Sequence, residues 1–193
     1  MRVCFASHNA NKIAELNELL GGKHEVIGLA DLGITEDIAE TGVTFEENSR
    51  IKASYVFEKE GIPVFADDTG LCVDALDSAP GVYSARYAGP EKDDQRNIDL
   101  LLQRMAGKVN RSASFITVIT FLDERGRETQ FRGTVEGKLL TERRGKQGFG
   151  YDPIFQPLGH DISFGEMDSV AKNKISHRGK AVQQLIEYLK NYE

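Results

Sequence analysis

Val64-Phe65-Ala66-Asp67-Asp68-Thr69-Gly70 is an apolar run that ends in two adjacent carboxylates, a hydroxyl and a glycine. Phe65 and Ala66 suit a buried strand, and Gly61-Ile62-Pro63 reads as the turn that leads into it. Successive side chains of a strand point to opposite faces, so two neighbouring aspartates cannot both address one site from a regular strand. Asp67 and Asp68 are therefore expected where the strand ends and the backbone turns, the place where open α/β sheets bind ligands. The plainer alternative is an Asp-Asp-Thr-Gly turn whose carboxylates satisfy nearby amides.

Ahead of this stretch, Arg2–Ser7 reads as an opening strand, followed by the polar His8-Asn9-Ala10-Asn11-Lys12. Ile13, Leu16 and Leu20 recur at helical spacing until Gly21-Gly22 stops them. A polar loop thus meets a helix N-terminus, where backbone amides favour anions. His24–Leu29 predicts a second strand, and residues 30–43 form a loop that carries Glu40. Thr44-Phe45-Glu46-Glu47 fits a capping box for a helix reaching about Glu60, which makes Glu47 a cap rather than a metal ligand.

Beyond Gly70, Leu71–Leu76 predicts a separate strand, and residues 77–92 are loop-rich, with Tyr83, Ser84, Arg86 and Tyr87 either lining a cleft or covering a surface. Asp93 or Asp94 caps an amphipathic helix whose apolar face is Ile98, Leu101, Leu102 and Met105. Ser112–Leu122 is apolar on both faces and predicts a central strand covered twice. A turn at Asp123-Glu124-Arg125-Gly126 returns an amphipathic strand through Phe131, Gly133 and Val135. Gly145–Pro153 matches neither the Walker pattern nor the dinucleotide fingerprint. It is a flexible loop, or one whose glycine-flanked Phe149 and Tyr151 meet a planar ligand. Lys172, Lys174, His177, Arg178 and Lys180 crowd ahead of a last helix. Cations there oppose the macrodipole, a placement expected of an anion site.

The 193 residues are enough for one sizeable domain or two small lobes, with 40% hydrophobic and 28% charged residues, ordinary for a soluble globular chain. A net charge of -6 argues against nucleic acid and anionic membranes as partners. Cys4 and Cys72 lie in apolar runs and read as buried free thiols. Val3–Ala6 is too short for a signal segment and no stretch approaches a membrane span, which leaves the cytoplasm as the expected compartment. Phosphate needs amides and cations, magnesium needs hard oxygen ligands, and a nucleobase needs a ring to stack on. The chain offers all three without a P-loop.

These segments resemble the Ham1 family of inosine triphosphate pyrophosphatases. Ser7-His8-Asn9-Ala10-Asn11-Lys12 matches the opening S/T-x-N-x-x-K signature. Thr44-Phe45-Glu46-Glu47-Asn48 with Lys52-Ala53 matches T-F-x-E-N followed by K-A, and Ala66–Gly70 matches A-D-D-S/T-G. Pro80–Tyr87, Phe149–Pro153 and Ile175–Gly179 complete six ordered blocks spanning nearly the whole chain. The resemblance implies a single domain over residues 1–193, an α/β fold with a long bent mixed sheet, helices on both sides, and two lobes around a central cleft. A homodimer is the implied assembly. It implies hydrolysis of the purine nucleoside triphosphates ITP, dITP and XTP to monophosphate and pyrophosphate, with Mg²⁺. By motif, Ser7, His8, Asn9, Ala10, Asn11, Lys12 and Thr69 hold the triphosphate. Glu40 and Asp68 serve the metal, and Asp68 accepts the proton. Phe149, Gly150, Tyr151, Asp152, Lys172, His177 and Arg178 frame the nucleotide and its base. Asp67 is a structural turn residue or a further metal or water ligand.

Three other readings stand beside this one. A haloacid-dehalogenase-type phosphatase spaces its aspartates i, i+2 to share a face, whereas these are i, i+1. Maf-type nucleotide pyrophosphatases resemble the family in fold and reaction but open with a Ser/Arg-rich loop in place of Ser7-His8-Asn9. A nucleotide-binding regulator without turnover would not need the full set of carboxylates.

Overall fold

The structure is a computed structural model and describes residues 2–21 and 25–190. Gly22 and His24, expected to stop the first helix and open the second strand, lie outside the described residues. Six strands form one sheet: β1 (Arg2–Phe5), β2 (Glu25–Gly28), β3 (Val64–Val73), β4 (Ser112–Leu122), β5 (Glu128–Leu139) and β6 (Phe155–Pro157). Their order is β2-β1-β3-β4-β5-β6. β1 runs parallel to β2 and β3, and β5 runs antiparallel to β6, so the sheet is mixed. The helices are α1 (Ala10–Leu20), α2 (Phe45–Glu60), α3 (Asp94–Arg104), α4 (Ser169–Ile175) and α5 (His177–Lys190). This is the expected α/β class.

Residue contacts divide the chain into two compact units. Unit 1 holds residues up to Asp68, Thr117–Gly133, and those from Arg178 on; unit 2 holds Thr69–Ile116 and Thr134–His177. In unit 1 the period of two along β1 and β3 sorts side chains onto two faces. Val3, Phe5 and Phe65 pack with Leu16 and Leu20 of α1 and with Ala181, Val182 and Leu185 of α5. Phe5 and Phe65 are register partners and stack with centroids 5.0 Å apart. On the opposite face Cys4, Val64 and Ala66 pack with Ala53 and Val56 of α2. Burial pushes the Cys4 thiol up to about 12, with Asp31 and Glu60 adding to the rise, so it is inert. Cys72, expected to be buried, is only half-buried. In unit 2 a single core joins Ile98, Leu101 and Met105 to Phe115, Phe155 and Phe164.

Local signals proved accurate where local bonds decide. Thr44 Oγ1 accepts from the Glu47 amide while Glu47 Oε2 accepts from the Thr44 amide, closing the predicted capping box. Gly61 ends α2 at φ 65°, in the left-handed region where a Cβ is strained. β4 has its predicted bounds and is buried along nearly all its length.

Two expectations were overturned. β3 does not end at the aspartates but runs unbroken through Asp67, Asp68, Thr69 and Gly70 to Val73. The separate strand expected at Leu71–Leu76 is this continuation, followed by a short 3-10 turn at Asp74–Leu76. Glycine is unfavourable in an isolated strand, but β3 is flanked by β1 and β4, and paired neighbours outweigh local propensity. The basic cluster does not simply lie ahead of the last helix: Lys172 and Lys174 occupy the last turn of a helix of their own, α4, where cations complement the helix dipole, and His177, Arg178 and Lys180 fall in the first turn of α5. Of the basic cluster, Lys172, His177 and Arg178 are buried, while Lys174 and Lys180 are exposed. Of the two readings of Gly145–Pro153, the flexible loop fails, because the segment is pinned. The Arg144 amide donates to the Pro153 carbonyl at 2.8 Å and the Gln147 amide to Gly165 at 2.8 Å. A Cβ on Gly145 would stand 1.9 Å from the Gly165 carbonyl oxygen.

Candidate active site

Because β3 continues straight through them, Asp67 and Asp68 point to opposite faces of the sheet, and each meets different helices. Asp67 shares the face of Phe65, toward α1 and α5. There its Oδ1 accepts from Lys12 Nζ at 3.0 Å, and Oδ2 lies 3.6 Å from Arg178 Nε. Burial pushes Asp67 up, yet the charges of Lys12, Arg178 and Lys52 and the hydrogen bond from Lys12 prevail. The carboxyl is held well below the usual carboxylate range. Lys12 is itself lowered, by burial and by the neighbouring Lys52 and Arg178, against the pull of Asp67. The Arg178 guanidinium is also bonded to Glu15 of α1, so two carboxylates enclose it. Asp67 is therefore an ion-pair hub inside a continuous strand, and not a turn residue.

Asp68 shares the face of Ala66, toward α2, and is 5% exposed. Burial pushes its pKa up to about 6. Lys52 pulls it down, Glu40 pushes it up, and Lys12 and Asn48 pull it down. Lys52 of α2 donates to Glu40 in the loop ahead of that helix. Burial lowers Lys52, but Glu40, Asp68 and Asp67 outweigh this and leave it raised, hence charged. Glu40 and Asp68 are hard oxygen donors, coupled closely enough for one to raise the other. Among the described residues no three His, Cys, Asp or Glu side chains gather as a metal cluster. Magnesium needs no such cluster, since one or two carboxylates with waters and substrate oxygens suffice. The donor set fits that ion.

The Ser7–Lys12 segment meets the start of α1, as expected, and enters it through an N-cap at Asn9. Asn9 Oδ1 accepts from the Asn11 and Lys12 amides at 3.0 and 3.2 Å, and Ser7 Oγ accepts from the Asn9 amide at 3.1 Å. The segment from His8 to Asn11 is exposed, and a His8 ring nitrogen lies 3.1 Å from the Glu36 carbonyl. Thr69, half-buried on β3, is the first residue of unit 2.

Unit 2 gathers the remaining predicted residues. Asp152 Oδ2 accepts from Lys172 Nζ at 2.7 Å and from the Phe149 amide at 3.0 Å, in a pair whose side chains are about 5% exposed. The Lys172 ammonium lies 4.9 Å from the Phe149 ring centre and 5.8 Å from that of Phe164, a cation–π arrangement. His177 stacks on Phe115 at 4.6 Å with rings 9° from parallel. Gly148 has φ 70°, and a Cβ there would stand 2.0 Å from Asp152 Oδ2. The Gly150 amide donates to Asp94 Oδ2 at 2.8 Å. Tyr151 faces inward instead: its hydroxyl donates to the Ser84 carbonyl at 2.7 Å, and burial raises its pKa. Arg178 belongs with Asp67 and Glu15 in unit 1, whereas Lys172 and His177 belong with Phe149 and Asp152.

Motif reading passed over three contributors. Lys52 and Asn48 stand in the matched T-F-x-E-N and K-A block, four residues apart on one stripe of α2, a spacing that could have marked them. Glu15 carries no local signal at all; only the fold brings it to Arg178, 163 residues away.

The hub makes a testable statement about stability. Replacing Asp67 with asparagine leaves the buried Lys12 without its partner and Arg178 with Glu15 alone, a loss of about 3–5 kcal/mol. For a chain of this size Tm is expected to fall by roughly 6–20 °C. A calorimetric shift below ~2 °C would mean that the hub is solvated.

Comparison with known proteins places the chain. The sequence pattern of the Ham1 family matches residues 3–188. The dITP/XTP pyrophosphatase of Christiangramia forsetii is 50% identical over 189 residues, covering 98% of this chain and 99% of that one. The dITP/XTP pyrophosphatase of Porphyromonas gingivalis is 47% identical, covering 97% of each. The solved Staphylococcus aureus Ham1 protein superposes with a TM-score of 0.91 at 37% identity over 100% of both chains. A HAM1 protein from Coxiella burnetii gives 0.91 at 42% identity over 99% of both. With its motif blocks in order, its mixed sheet shared and its length matched end to end, the chain belongs to the Ham1 family.

Proposed function

We propose that this protein hydrolyses the non-standard purine nucleoside triphosphates ITP, dITP and XTP to the monophosphate and pyrophosphate. The observation that carries the proposal is the setting of Asp68. It is a buried carboxyl with a pKa near 6, beside Glu40 and Lys52, and a proton acceptor at neutral pH needs such a value. The activity printed for the relatives, dITP/XTP pyrophosphatase, supports the same reading.

Water attacks the α-phosphorus and breaks the α–β anhydride bond. Asp68 takes the proton from the attacking water. Lys12, Thr69 and the Ser7–Asn11 segment hold the triphosphate, and Lys12 counters charge that builds on the departing pyrophosphate. Phe149 stacks on the purine, and the Asp152–Lys172 pair meets its polar edge. A magnesium ion held by Glu40 and Asp68 would supply further positive charge to the phosphates. Work as a cytoplasmic homodimer belongs to the same proposal, and light scattering of the purified protein checks the assembly.

The experiment is a nucleotide panel with Mg²⁺, assayed separately for pyrophosphate and orthophosphate. ITP, dITP and XTP are expected to release pyrophosphate, with no turnover once the metal is chelated. Orthophosphate as the first product would point to a phosphatase. Tight ITP binding with no product would point to a regulator.

A further inference from the structure

Asn48 is fully buried four residues into α2, although asparagine is a poor helix former and a buried amide is costly unless it is bonded. Its Oδ1 accepts from the Gly42 amide at 2.8 Å. That bond fixes which way the amide is turned, so Nδ2 points away from Gly42. Among the described residues Nδ2 lacks a partner in full hydrogen-bond geometry. It nevertheless stands close enough to the Asp68 carboxyl to address it as a donor.

The loop that carries Glu40 is tied to α2 by side chains at the start of that helix. Gly42 donates to Asn48, and the Val43 and Thr44 amides donate to Glu47 Oε2 at 2.7 and 3.2 Å. The approach is close: a Cβ on Gly42 would stand 2.6 Å from Glu47 Cβ and 2.8 Å from Asn48 Oδ1. One helical turn beyond Asn48, on the same stripe, Lys52 binds the Glu40 carboxylate. α2 thus grips the Glu40 loop twice, at its backbone through Asn48 and at its carboxylate through Lys52.

We propose that Asn48 is a positioning residue that sets the separation of Glu40 and Asp68, and thereby the affinity of the pair for a divalent cation. One end of its amide holds the Glu40 loop and the other addresses Asp68. The proposal rests on the assignment of Glu40 and Asp68 to the metal. Groups that orient metal ligands in this way typically change affinity 10- to 100-fold when removed.

The test is titration of the nucleotide-free protein with Mn²⁺, free ion read by electron paramagnetic resonance, for the wild type, Glu40→Gln, Asn48→Ala and Asn48→Leu. Leucine matches asparagine in number of heavy atoms and in branching, so it serves if the smaller alanine collapses the helix start. The expected result is a Kd raised ~10- to 100-fold in the Asn48 variants. The Mg²⁺ concentration for half-maximal ITP turnover should rise in parallel, with kcat at saturating Mg²⁺ changed much less. Wild-type Mn²⁺ affinity in a folded Asn48 variant, with Glu40→Gln weakened, overturns the role of Asn48 alone. No binding by the wild type, or full binding by Glu40→Gln, overturns the metal assignment and this inference with it.

Discussion

Asp68→Asn is expected to lower kcat at least ~100-fold, and up to ~10⁴-fold, while leaving the fold as stable as before or more so. The two halves of that expectation share a cause. Burial first, and then Glu40, raise the carboxyl from an ordinary 3.8 to about 6, so the folded protein binds this proton more tightly than the unfolded chain does. Stability contributed by the protonated form is lost as pH rises from about 3.8 through about 6, and at pH 7 the charge is a burden on the order of 1–3 kcal/mol. Asparagine removes that burden along with the proton acceptor. Turnover should also fall on the acid side as Asp68 protonates. Because a bound cation favours the carboxylate, raising Mg²⁺ should move the acid limb of kcat/KM below pH 6. Steady-state rates against pH at several Mg²⁺ concentrations, with Tm for both proteins, check all three statements. Near-normal turnover by the variant in excess Mg²⁺ would sink the assignment.

The second large effect concerns the base. Phe149 can stack on any purine, so it contributes affinity without selection. Lys172 and Asp152 stand side by side at 2.7 Å, a buried donor next to a buried acceptor. Hypoxanthine and xanthine present an acceptor at C6 and a donor at N1, the complement of that pair. Adenine presents the reverse, and leaves two buried groups mismatched at ~1–3 kcal/mol each. The kcat/KM for ITP and XTP should therefore exceed that for ATP by roughly 30-fold to 10⁴-fold. Lys172→Met should narrow the ITP-to-ATP ratio more than Phe149→Leu does, since only the former removes an edge contact. Guanine matches at C6 and N1, so rejection of GTP requires a contact at its 2-amino group. Equal rates on ATP and ITP for the wild type would end this reading of the pair.

Features whose bonds close within a few residues were legible in the sequence alone. The Thr44–Glu47 capping box, the cap at Asp93 or Asp94, the stop at Gly61 and the long apolar β4 depend on neighbours within about one turn or on a simple period. The motif blocks likewise singled out Asp68, Lys12, Phe149, Asp152 and Lys172 from residue types and order. What neighbours in sequence could not decide was direction and partnership. Whether β3 stops at Gly70 depends on flanking strands far away in sequence, and its continuation is what turns Asp67 toward α1 and α5 and Asp68 toward α2. Arg178 looked like one member of a basic cluster until the fold enclosed it between Asp67 and Glu15. Two adjacent carboxylates of identical chemistry thus became an ion-pair hub held below the carboxylate range and a buried carboxyl raised to about 6. The sequence determined that both would be there. Only the tertiary structure, by choosing which charges and how little water each one meets, decided which would be held ionised and which would be raised.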